Sequence, residues 1–344
     1  MGIYYPYYSA VIPISLATCS IGSRYGVTLP EKLKAIQKAG FDAVELTLPD
    51  VLAYGSHLNG HDLVATDFSA IAIVAKAIRS LVLECNLQVL MLKPFDYSEG
   101  WRSGQSDKTE GVSVEKVQGW LKVMEALGTD MIQIGPPNAE ECADSISHLA
   151  RDLAKLADIC AEKNVRIAYE NRCWAPQART WKTAWEIVKT ADRPNLGLCL
   201  NTFQIAAVEF GDPTTETGLI ENIGRAELES CWRASLKELA YTVSPEKIYL
   251  LQISDAYKVD PPMSEFKDSN GEGPMSKWSN GYRALPLGGG YLPVNDVLRA
   301  VLNTRFRGWL SIEVYDSNER LDHSDVEAFA KTAEKTLRDM LLFS

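Results

Sequence analysis

Apolar positions along the chain follow two alternating rhythms. Runs such as ISLATCSI (14–21), FDAVELTL (41–48) and LQVLMLKPF (87–95) are nearly continuous in Ile, Leu, Val and Ala, as strands buried on both faces are. Between them, apolar residues recur every three or four positions, the spacing of a helix with one buried face. Leu33, Ile36 and Ala39 follow a start at Thr28-Leu29-Pro30-Glu31 and stop at Gly40, with the cap residue, early proline and terminal glycine expected of a helix. A second amphipathic helix is expected over about 67–84, and a third through Val114, Val117, Leu121 and Met124 to Gly128. The alternation continues through DMIQIG, a helix over 139–163, VRIAYE, a TWKTAWEIVKTA helix, LGLCLN, a SLKELAYTV helix and IYLLQISD. VNDVLRAVLN, WLSIEV and a last helix from near Ser324 close the count. Glu327 stands at capping-box distance from Ser324, and Phe329, Ala333, Leu337 and Met340 share one face. Residues 204–234 show no clear period.

Eight strand and helix units over this length favour a (β/α)8 TIM barrel in the α/β class, a single domain over 1–344 with the barrel at about 12–342. No GxGxxG follows the first strand, which removes the usual dinucleotide-binding reading. The segment 257–293 joins the seventh strand to the next helix, and loops of that length commonly cover a site.

Four strands end in an oxygen-bearing side chain: Glu170, Asn201, Gln252 and Glu313. In a parallel barrel such ends converge on one face, where catalytic groups are drawn from several strands. Two carboxylates and two amides suit a hard divalent cation, Mg2+ or Mn2+, better than zinc. The same pattern also suits hydrogen-bonded amides with acids paired to Arg or Lys. Lys93, which ends the third strand, is a candidate catalytic residue, and Glu45, within the second, is a candidate substrate contact. Arg172, Trp174 and Asp255 follow strand ends as substrate contacts, and Arg283 in the long loop is a candidate carboxylate clamp. His57 and His61, expected in a loop after the second strand, are candidate bases titrating near neutrality.

Composition narrows the function classes. The chain is 46% hydrophobic and 23% charged, with 35 basic against 45 acidic residues and a net charge of −10. Acidic balance without a basic block argues against nucleic acid as partner. No apolar run approaches the roughly 20 residues that span a bilayer, and the first residues lack a signal-peptide pattern, so a cytoplasmic protein without membrane contact is expected. Seven cysteines stand singly, with no CxxC pair, and read as reduced thiols. The expected partner is a small-molecule substrate, and a homo-oligomer is left open.

The segments YENRCWAP, TWKTAWEIVKTADRPNLGLCLNTFQIA, KIYLLQISDA, MSKWSNGYR, YLPVNDVL and GWLSIEVYD resemble those of 3-dehydroshikimate dehydratases of the fungal quinate-pathway type, in the xylose isomerase-like superfamily of sugar phosphate isomerases and epimerases. The resemblance covers most of the chain and is strongest over 165–317. It implies a metal-assisted lyase that eliminates water from a β-hydroxy ketone through an enolate, giving protocatechuate. An isomerase or epimerase using the same enolate, and a metal-poor paralogue acting on another small ring, are the alternatives. The implied metal ligands fall on Glu170, Asn201, Gln252 and Glu313. Asn201 stands where the family's GLCLDTF has aspartate; its amide oxygen brings no charge, so weaker metal binding is expected. MSKWSNGYR keeps one of the two arginines of a WSRNAR-like run, as Arg283.

Overall fold

The computed structural model describes residues 3–5, 10–22, 26–95, 114–136, 145–316 and 325–343. Eight parallel strands pair in chain order and close on themselves. They are Ile14–Ala17, Ala43–Thr47, Gln88–Lys93, Met131–Ile134, Arg166–Glu170, Leu196–Asn201, Ile248–Ile253 and Trp309–Ile312. The eighth completes the ring, with Leu310 beside both Ile14 and Leu251. This is the (β/α)8 barrel that the alternation implies.

Helices surround the strands because their apolar stripes need a partner. In Trp181–Ala191 the buried residues Trp181, Ala184, Ile187, Val188 and Ala191 lie at helical spacing, and Thr180 caps the start by accepting the Thr183 N–H at 3.2 Å. Each large side chain buried this way contributes about 1.5–3 kcal/mol. The first helix, Leu29–Ala39, has its capping glutamate: the Glu31 carboxylate accepts the Thr28 N–H at 2.8 Å. A separate small cluster, including Met91, Met131, Ala168, Cys199 and Leu250, fills the inside of the barrel. Above it, at the carboxyl ends of the strands, the inward side chains turn polar.

Several local expectations change. The segment after the second strand is a helix, Leu48–Asn59, with proline in its first turn and Gly60 in the left-handed conformation at its end. About half of residues 204–234 is helical too, within Thr202–Glu209 and Arg225–Thr242. The helix expected from 139 is described from Ile146 and the last helix from Val326, where Asp325 accepts the Ala328 N–H at 2.9 Å. Ser324 and the polar segment 97–110 lie outside the described residues.

The long segment after the seventh strand is built rather than loose. Asp255–Ala256 pairs antiparallel with Arg283–Ala284, and a helix, Pro274–Gly281, lies between them in sequence. Trp278 anchors that helix: it is fully buried, packs edge-on against Phe203 at 5.1 Å and donates its indole N–H to the Tyr257 carbonyl at 3.0 Å. Among the described residues no helix is long and apolar enough to cross a membrane.

Candidate active site

A cavity of about 280 Å3 opens at the carboxyl end of the barrel. Lys93, Gln133, Glu170 and Glu313 form its floor, Arg172 and Trp174 one wall, and Ser276, Asn280 and Arg283 contribute from the long segment. The helix Pro274–Gly281 is therefore part of the wall.

Charge pairing dominates the floor. Lys93 Nζ reaches Glu45 Oε2 at 2.6 Å and also pairs with Glu313. Arg283 Nη1 pairs with the other Glu313 oxygen, while its Nε and Nη2 hold Ser279 at 3.0 and 2.9 Å. Burial alone would discharge Lys93, but Glu313 and Glu45 outweigh it and hold the ammonium well above its ordinary pKa. Burial likewise opposes charge on Glu313, and here Lys93 and Arg283 prevail, keeping it below the usual carboxylate range. Glu170 goes the other way: burial, then the Glu313 carboxylate, raise its pKa. It is held by amides instead of cations, accepting from Asn201 at 3.0 Å and from Gln133 at 2.8 Å.

All four expected metal positions meet, but one presents the wrong atom. Asn201 Nδ2 lies 3.0 Å from Glu170 Oε1, 3.2 Å from Gln252 Oε1 and 3.1 Å from Glu313 Oε2. Those separations resemble the ligand-to-ligand edges of an oxygen octahedron of roughly 2.1 Å radius. The vertex at Asn201 carries hydrogens, however, since its oxygen accepts the backbone N–H groups of Phe203 at 3.0 Å and Gln204 at 3.2 Å. Turned over, the NH2 would face two donors at a helix start. A hard cation needs a lone pair there, so the residues as arranged do not fit one. Among the described residues no group of three or more His, Cys, Asp or Glu is placed to hold a metal.

Other expectations part from the geometry. His57, in the last turn of Leu48–Asn59, and His61 just beyond it are both exposed and do not line the cavity. The helix that replaces the expected loop carries them to the surface. Arg283 is committed to Glu313 and Ser279, which leaves Arg172, stacked at 5.9 Å on Trp174, as the cation on the open wall. Asp255 turns away, accepting the N–H of Ala256 at 2.6 Å and of Leu292 at 3.0 Å. Gly290 packs so closely on it that a Cβ would come within 2.2 Å of the carboxyl carbon. Glu45 lies beneath the cavity as the partner of Lys93 and Gln252. Gln133, which joins Glu170 to Gln252, is a site residue beyond those expected from the sequence. Its signal is the one that marks Gln252, a polar residue inside an apolar strand.

Burial pushes Asp255 up to about 7 against the pull of its backbone hydrogen bonds. Its proton is lost near pH 4 unfolded and near 7 folded, so stability falls as pH rises between those values. Relative to Asp255→Asn, the protein is expected to lose a few kcal/mol over that window in urea titrations. A constant difference between the two would contradict this.

Comparison with known proteins adds to this geometry. Residues 33–340 match the family model described as xylose isomerase-like TIM barrel. The 3-dehydroshikimate dehydratase of Neurospora crassa is 31% identical over 333 residues, covering 92% of this chain and 88% of that protein. A Pseudomonas aeruginosa protein of the same name is 30% identical over 306 residues, covering 89% of this chain but 38% of that longer protein. Among solved structures, the IOLI protein superposes with a TM-score of 0.65 at 18% identity, covering 96% of this chain and 98% of that one. That structure holds a zinc atom.

Proposed function

Because the chain belongs to the xylose isomerase-like TIM barrel family, we propose that it is a hydro-lyase of the 3-dehydroshikimate dehydratase type, converting that β-hydroxy ketone to the aromatic acid protocatechuate. The observation that carries this reading is the cavity: an acid, an ammonium and a guanidinium face one space suited to a single substituted ring. The relative that is similar across nearly its whole length supports the same substrate.

The roles follow from position. Arg172, on the open wall, binds the ring carboxylate. Lys93 donates a hydrogen bond to the ketone oxygen and stabilises the charge that gathers there as the enolate forms, a preorganised donor in a water-poor site. Glu170 removes the proton next to the ketone. The same carboxyl, now protonated, returns that proton to the β-hydroxyl, which leaves as water while the ketone re-forms. The resulting dienone shifts a ring proton to oxygen and becomes the arene. Glu45 and Glu313 hold Lys93 charged and in place, and Arg283 holds Glu313.

The test is the ultraviolet spectrum of the protein mixed with 3-dehydroshikimate. Growth of the protocatechuate spectrum with time, in proportion to enzyme, is expected. A folded protein that leaves the spectrum unchanged would refute this substrate.

A further inference from the structure

The mismatch at position 201 also bears on how the site is neutralised. Glu45 and Glu313 are set against Lys93 and Arg283, and Glu170, which only amides contact, has Arg172 on the wall of the same cavity, so three acids face three cations. An aspartate at 201 would add a negative charge that no side chain of the site balances, and so favour a cation. With asparagine the Nδ2, which carries two hydrogens, lies within hydrogen-bond distance of Glu170, Gln252 and Glu313. The helix start at Thr202 locks this orientation, because the Asn201 oxygen is its cap.

We propose that Asn201 makes this site metal-independent: its amide fills a ligand vertex with hydrogens and leaves the three acids balanced by Lys93, Arg283 and Arg172 without an ion. The catalytic half of this statement rests on the dehydratase reading; the metal half rests on the side chains alone. The Asn201 amide is thus a positioning group that orders three acceptors without drawing a cation among them. Asn201→Asp keeps the helix cap, since aspartate caps as well as asparagine, and turns an oxygen toward Glu170, Gln252 and Glu313. It therefore converts the vertex into a ligand at the cost of one amide hydrogen-bond donor.

The experiment is a calorimetric titration of the chelator-treated full chain with Mn2+, beside Asn201→Asp and with thermal unfolding of both. The wild type is expected to show no saturable binding below about millimolar Mn2+. The variant should bind at least tenfold more tightly, and Mn2+ should raise its Tm but not that of the wild type. Wild-type binding at micromolar Mn2+ would overturn the proposal, whatever the variant does. Absence of binding by a folded variant would overturn the assignment to position 201. Should the variant fail to fold, the wild-type titration still decides. Because the readout is metal binding, a failure of the 3-dehydroshikimate assay leaves this result standing, and the two failures are distinguishable.

Discussion

Lys93→Met is expected to cost about 3–5 kcal/mol of folding stability and to abolish turnover, the largest combined effect of any single change at the site. Lys93 is almost fully buried between Glu45, which has no exposed surface, and Glu313. Removing the ammonium leaves Glu45 charged with only the Gln252 amide against it, and an uncompensated buried charge is costly on that scale. Guanidinium-induced unfolding followed by circular dichroism measures it. A loss under about 1 kcal/mol would mean that the acids take up protons easily and that Lys93 is not what holds them. Turnover should vanish because the ketone oxygen loses its donor. Methionine fills the space of the lysine stem, so a folded variant reports on charge and not on a cavity.

Glu170→Gln should remain folded and lose about 10^2 to 10^4 in kcat, the range over which a positioned base contributes. Glutamine has the shape of glutamate and keeps one acceptor for Asn201 or Gln133, but it cannot take the ring proton. Primary isotope effects on a substrate deuterated next to the ketone would support the same step in the wild type. A variant that retains more than a tenth of wild-type activity would remove Glu170 from proton transfer. The remaining acids do not replace it: Glu313 is held as an anion by Lys93 and Arg283, and Glu45 lies under the floor.

The barrel was legible in the sequence because its strands are buried on both faces and so read as continuous apolar runs. ISLA, AVELT, QVLMLK and their successors need no long-range information to be recognised as strands. The polar residues that end them, Glu170, Asn201, Gln252 and Glu313, were legible for the same reason, as breaks in an apolar run. What the sequence could not show is which atom each side chain presents. The Asn201 oxygen is taken by a helix that starts one residue later, at Thr202, and only that packing turns the NH2 inward. Pairing across the barrel was equally hidden: Lys93 and Glu313 are 220 residues apart. The histidines misled because LPDVLAYGSHLN, with glycine and histidine near its end, resembles a loop until Val51 and Gly55 are seen buried on one helix face. The segment 257–293 is long enough to suggest a mobile cover, yet Trp278 at its centre is a core residue with no exposed surface. A tryptophan amid glycine, serine and proline was the available sign that part of it is fixed.

The most direct test of an active site run on its own cations is the rate of protocatechuate formation from 3-dehydroshikimate in excess chelator, compared with the rate after Mn2+ is restored. Equal rates under the two conditions are predicted, with Lys93 supplying the positive charge throughout. Turnover that stops with chelator and returns with Mn2+ would contradict the account and place a metal ion at the centre of the site.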